Sequence, residues 1–153
     1  ISFTSEEAWK AMGNRESIHL QDFLQCKKEY EDNQLNEKWN IIKNIRKVAT
    51  GAIEKIREEK TIRSSLEAHI DIFVSAESYK KLEKVMFDEI TITSSFSLYV
   101  IDEKSKGFSI EDISDVIVKA SKVNGEKCQR CWKYEAKLIN DEVCNRCNTV
   151  IFK

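Results

Sequence analysis

Hydrophobic spacing divides the chain into a helical first part and an alternating second part. From Leu35 to about Lys60, the residues Leu35, Trp39, Ile42, Ile45, Ala49, Ala52 or Ile53, and Ile56 recur at steps of three and four. Lys43, Lys47, Glu54, Lys55 and Glu58 fall on the outer side, so the spacing predicts one long amphipathic helix with a core-facing stripe. Ahead of it, Thr4 and Glu7 have the spacing of a capping box, which predicts a short helix ending near Gly13 with Phe3, Ala8, Trp9 and Met12 as its packed face.

Beyond residue 63 the period falls to two. Leu66, Ala68, Ile70, Ile72 and Val74 alternate with Glu67, His69, Asp71 and Phe73, the pattern of a strand with one buried face. A helix over Ala76 to Phe87, with Tyr79, Leu82 and Met86 inward, leads to a second alternating run of Ile90, Ile92, Ser94, Phe96, Leu98 and Val100. The connection of fifteen residues is long enough for the right-handed crossover between parallel neighbours. Residues 102–107 read as a polar loop and Asp115 to Ala120 as a further strand.

Charge adds little at the level of the whole chain. With 25 basic and 26 acidic residues there is no global field to attract nucleic acid. Arg46, Lys47, Lys55, Arg57, Lys60 and Arg63 alternate with acids after Glu54, and a solvated face accounts for them better than an RNA-binding one. No apolar run approaches the ~18 residues needed to cross a membrane. The expectation is a soluble cytoplasmic protein, and the start at Ile1 in place of methionine suggests a piece of something larger.

The strongest chemical signal is Cys128-Gln-Arg-Cys131 and Cys144-Asn-Arg-Cys147, two Cys-x-x-Cys pairs separated by twelve residues. Two residues between thiols make a tight loop that aims both sulfurs at one cation, and two such loops supply four ligands of a closed tetrahedron. A closed shell leaves no position for a catalytic water, so a metal here organises backbone. A disulfide framework fits poorly, since one further cysteine, Cys26, leaves an odd count and no secretory leader is present. A redox dithiol fits two neighbouring pairs less well than a metal does, and zinc is preferred over iron with the same ligands. Between Lys119 and Lys137 six basic residues stand against two acids, with Trp132 and Tyr134 interleaved. That mixture suits phosphate neutralisation and base stacking as well as it suits bases and aromatics covering an anionic metal-thiolate centre.

The run from Glu126 to Tyr134, closed by Val143 to Cys147, resembles the carboxy-terminal zinc module of bacterial-type isoleucyl-tRNA synthetases. That family usually has proline where Gln129 stands. Ser2-Phe3-Thr4-x-Glu6-Glu7-x-Trp9, followed by Glu16 to Leu20, resembles the segment where the helical anticodon-binding domain of these enzymes continues, although Leu24 stands where the family usually has proline. Arg63 to Ala68 resembles a block that normally begins with glycine, here replaced by Arg63.

The resemblance implies an α+β chain in three parts: residues 1–63 as the end of the helical anticodon-binding domain, 64–122 as a small α/β junction domain, and 123–153 as a four-cysteine zinc ribbon or knuckle. It implies one structural Zn2+ on Cys128, Cys131, Cys144 and Cys147. It further implies that this region, as a monomer, positions the anticodon arm of isoleucine tRNA, with Arg130, Trp132, Lys127 and Lys133 as contact residues. ATP and Mg2+ would serve the ligase chemistry in upstream domains. The class I signatures and a Gly-rich phosphate loop are absent, and His19 and His69 have no evident catalytic partner in the sequence, so this stretch is expected to carry no catalytic site. The rival expectation is a free-standing zinc-ribbon adaptor that binds protein.

Overall fold

The computed structural model describes residues 1–152. They form two compact units, Ile1–Asn33 and the chain from Gln34 onward.

In the first unit, α1 spans Ser2–Ala11 and is followed by short 3-10 turns at Ile18–Leu20 and Lys28–Tyr30. The expected capping box does not form. The helix starts earlier, with Ile1 at its N-cap, and Ser5 Oγ donates to the Ile1 carbonyl at 3.1 Å. Nor is there a packed face of the expected kind, because Phe3 and Met12 are exposed. Polar contacts close this unit instead. Glu6 Oε2 accepts from Ser17 Oγ at 2.8 Å and from the Ile18 amide at 3.0 Å, and the Trp9 indole N–H donates to the Glu16 carbonyl at 3.0 Å. Gly13 ends the helix turn at φ 90, a conformation that glycine adopts without a Cβ clash.

All of α2, Asn33–Glu58, but its first residue belongs to the second unit, and it is close to the helix the spacing predicts. Its buried residues are Ile42, Ile45, Val48, Ala49, Ala52 and Ile53. The expected stripe therefore fails at its first turns, where Leu35 and Trp39 are 49% and 45% exposed. Gly51 does not interrupt the helix; it makes room, since a Cβ there would lie 2.4 Å from the Phe108 ring.

Four strands build the sheet: β1 Ala68–Val74, β2 Ser95–Val100, β3 Phe108–Ile110 and β4 Ile113–Lys122, in the order β2-β1-β4-β3. β1 and β2 are parallel, with His69 opposite Ser95 and Val74 opposite Val100, as the β-α-β pattern predicts. β4 lies antiparallel on the other side of β1, and β3 extends the edge. β3 is not legible in the sequence because three residues are too few to display alternation. Ala68, Ile70, Ile72 and Val74 bury one face of β1 in a core shared with α2, Val116, Val118, Leu82 and Phe87.

The crossover differs from the single helix expected. It divides into α3, Ala76–Leu82, and α4, Phe87–Ile90. Phe87 takes the buried position expected for Met86, which is exposed. Ile90 belongs to α4, and Ile92 sits at φ 56 in the turn before β2, so the alternation they continued is not strand. Arg63 is not left-handed; the positive φ in this turn falls at Lys60 (φ 58), so the family's glycine is not needed.

Candidate metal centre

The chain from Lys122 onward builds two loops around four sulfurs. The first rests on a two-residue hairpin, β5 Glu126–Lys127 with β6 Tyr134–Glu135. Gly125 lets these strands approach: at φ 150 it would place a Cβ 2.4 Å from the Glu135 carbonyl oxygen. Inside the hairpin, the Cys128 amide donates to Lys133 O and the Trp132 amide to Cys128 O, each at 2.9 Å, which folds Cys128 and Cys131 toward one point. The second loop follows a reversal at Asn140 and Asp141, both left-handed (φ 52 and 58), where short polar side chains tolerate that region. Cys144 then caps α5, Asn145–Ile151, and Cys147 lies in its first turn. Gln129 joins the loops, its amide donating to Glu142 O at 3.0 Å. A proline at that position would lack the N–H, so the residue that departs from the family pattern supplies a cross-link.

The sulfur atoms of Cys128, Cys131, Cys144 and Cys147 all lie within 4.8 Å of one another, and the cluster could hold a metal ion. Cys131 Sγ and Cys144 Sγ are 3.7 Å apart. Metal bonds of ~2.3 Å in a tetrahedron give an edge of ~3.8 Å, so this spacing fits a shared cation and is far too long for a disulfide. All five cysteines are free thiols; Cys128, Cys144 and Cys147 are buried and Cys26 is exposed.

The surroundings favour negative sulfur at Cys128 and oppose it at Cys144. Burial works against the Cys128 thiolate, but the amides of Cys131, Cys144 and Arg130 outweigh it and bring the thiol down to about 6. Burial pushes Cys144 up to about 12, with the sulfurs of Cys147, Cys131 and Cys128 adding to the rise. Four thiols this close cannot all ionise unless a cation is shared among them. Arg130 Nη1 donates to Cys147 Sγ at 3.5 Å. Burial opposes the charged form of Arg146, but Cys131 and Glu89 hold its pKa above the usual arginine value.

Residues 1–72 match the family model of the anticodon-binding domain of tRNA ligase. Over 161 aligned residues, covering 99% of the chain, the sequence is 35% identical to isoleucine–tRNA ligase of Natranaerobius thermophilus. It is 38% identical over 136 residues to the isoleucine–tRNA ligase of Brucella abortus and 32% identical over 153 residues to that of Zymomonas mobilis, covering 88% and 99% of the chain. Over nearly its whole length the chain is similar to isoleucine–tRNA ligases. It spans 17%, 14% and 15% of the length of these three relatives. The anticodon-domain match runs through α2 and into β1, past the boundary between the two compact units.

The four residues singled out beside the metal fall into different environments. Trp132 is left-handed at φ 65 and 58% exposed, and Lys127 Nζ stands 5.0 Å from its ring centroid. Arg130 is exposed apart from its contact with Cys147. Lys133 is largely enclosed, its side chain 14% exposed and ion-paired with Asp88, itself 13% exposed. Arg146 Nη1 reaches Glu89 Oε1 at 2.8 Å, and the Tyr134 amide donates to Ser94 Oγ at 2.6 Å. Asp88, Glu89 and Ser94 thus fasten the metal loops to α4 and the start of β2. Sequence offered no signal for them, because periodicity left Asp88 and Glu89 between a helix expected to end at Phe87 and a strand expected to start at Ile90.

His69 has polar partners in the sheet. Its Nδ1 lies 2.8 Å from Ser95 Oγ and its Nε2 3.2 Å from Asp71 Oδ1. Asp71 shares the outer face of the strand with His69, as the alternation already placed it, whereas Ser95 comes from the neighbouring strand β2.

Proposed function

We propose that this chain binds the anticodon arm of isoleucine tRNA and positions it for ATP-dependent aminoacylation by other domains of a longer, cytoplasmic, monomeric ligase. Residues 1–63 continue the helical anticodon-binding domain, 64–122 form the junction, and 123–153 present the metal module. The metal is Zn2+, held by Cys128, Cys131, Cys144 and Cys147; bound there it is a structural cross-link with no coordination position for substrate. ATP and Mg2+ act elsewhere in the ligase.

The observation that carries the reading is Trp132. A large aromatic in a left-handed turn beside a metal knuckle is expected to fold inward as a cover, yet more than half of this residue is accessible. Lys127 occupies one region over its ring, and the remaining π-surface is available to an unstacked base at ~1–3 kcal/mol. Arg130 keeps guanidinium N–H groups for phosphate or a base edge. Lys133, committed to Asp88, contributes by holding the hairpin that displays Trp132.

The test is zinc content and affinity for isoleucine tRNA measured on the same Trp132→Ala protein. Weaker tRNA binding with full zinc and an unchanged salt slope is expected, whereas Arg130→Gln should flatten the slope if its contact is to phosphate. Unchanged affinity in the zinc-retaining Trp132→Ala protein would overturn the reading. A protein-binding adaptor would show no salt-dependent binding of tRNA at all.

A further inference from the structure

We propose that the outer face of α2 is a second, sequence-neutral RNA contact, in which Lys43, Arg46 and Lys47 neutralise backbone phosphates. The inference rests on the tRNA-binding reading but uses none of the residues beside the metal.

Three observations support it. From Lys38 to Ile53 the sequence has four cations and no acid, in a chain whose totals are 26 acids and 25 bases. Lys43, Arg46, Lys47 and Thr50 stand at i, i+3, i+4 and i+7 and line one shallow concavity of about 310 Å³ on the helix surface. None of the three cations makes an ion pair among the described residues, although α1, α2 and α3 all pair other lysines or arginines with carboxylates. Each of those pairs uses an acid three or four positions away, and no acid stands at that distance from Lys43, Arg46 or Lys47.

Geometry favours a polyanion over a single ion. Residues three and four apart on a helix have neighbouring side chains, so three cations within five residues cover more than one turn of surface, which suits consecutive phosphates along a strand. Trp39, 45% exposed, precedes Lys43 by four residues and so flanks the same strip, adding an apolar surface for a ribose or base. Glu54 pairs with Arg57 at 3.2 Å and ends the strip on its C-terminal side. The alternation of charge that reads as solvated surface begins only there.

The experiment compares unmodified isoleucine tRNA transcript binding to the 153-residue protein, the Lys43→Gln/Arg46→Gln/Lys47→Gln variant, and a Lys104→Gln/Lys106→Gln control in the loop before β3. Affinity is followed against salt concentration, with thermal unfolding as a check on the fold. The helix variant should lose about two to three units from the slope of log affinity on log salt, a transcript of unrelated sequence should lose the same amount, and the loop control should lose less than about one. An unaltered slope in a folded helix variant would overturn the inference, as would an equal loss per charge in the loop control. If the helix variant binds normally while Trp132→Ala does not, this surface fails and the metal-module reading stands. The reverse pattern would remove Trp132 and leave α2 as the contact. Absence of any tRNA binding by the unmodified protein removes both.

Discussion

Ile45 and Trp39 lie six residues apart on one helix and illustrate how differently two large apolar side chains can be used. Ile45 is completely buried, whereas Trp39 is nearly half exposed. Truncating Ile45 to alanine removes three methyl or methylene groups and leaves a cavity among Val48, Ala49 and the sheet, so a loss of about 2–5 kcal/mol is expected in urea unfolding. Trp39→Ala, which as a core truncation would cost ~3–5 kcal/mol, should cost clearly less than Ile45→Ala. Equal losses would mean that Trp39 is enclosed.

Glu6 acts at the same scale in the first unit. The hydroxyl of Ser17, the ammonium of Lys10 and the Ile18 amide hold its carboxyl below the usual carboxylate range. A depressed carboxyl contributes stability above its unfolded pKa and loses that contribution as pH falls through the lower, folded value. The NMR shift of the Ser17 and Ile18 amides should therefore change on acidification, and Glu6→Gln should abolish that step. A step of unchanged midpoint in the variant would assign it to another group.

Among elements, the fastening of the metal loops to α4 is the contact whose strength is easiest to misjudge. Arg146 with Glu89 is exposed on both sides and adds little on its own. Lys133 with Asp88 is enclosed, and Asp88 Oδ1 is buried with no hydrogen-bond partner among the described residues, so the desolvation of that oxygen is not offset by a hydrogen bond. Removing one member strands the other's charge, at a cost of about 3 kcal/mol. Lys133→Met is thus expected to loosen the module, seen as faster zinc transfer to a chelator, and Lys133→Met/Asp88→Leu should recover much of the loss because it strands nothing. A double variant as labile as the single one would show that the charge pair itself is required.

For the whole molecule, two cores of unequal quality set the order of unfolding. The larger joins α2, the sheet, α3 and α4 through sixteen buried residues. The smaller consists of Cys128, Leu138, Cys144 and Cys147, with Cys131 and Val143 partly buried. Three of its four buried residues are cysteines, which leaves Leu138 as the one fully apolar side chain and too little burial to hold about thirty residues without a metal. Chelation is expected to abolish amide protection from about residue 126 onward while leaving protection in α2 and β1 intact. Loss of both together would mean that the metal stabilises the larger core as well. Acidification should release the metal in the same way, since protons compete for thiolates.

The residues that sequence located well are those whose role is set by local periodicity or by ligand spacing. A helix of period 3.6 expected from 35 to about 60 and found at 33–58, a period-two strand expected over 66–74 and found at 68–74, a parallel partner found at 95–100 within the run from Ile90 to Val100, and two Cys-x-x-Cys loops each follow from neighbours in the chain. What required tertiary structure were the choices that periodicity leaves open. The end of the α2 stripe, the exchange of Met86 for Phe87, the three-residue strand β3 and the pairing of His69 with Ser95 depend on which surface meets which. The fastening of Lys133 by Asp88 joins residues forty-five positions apart. Spacing fixes where four sulfurs converge, because ligand loops are local. Which face of the metal module is held and which is displayed depends on packing against a sheet distant in sequence, and that only the folded chain decides.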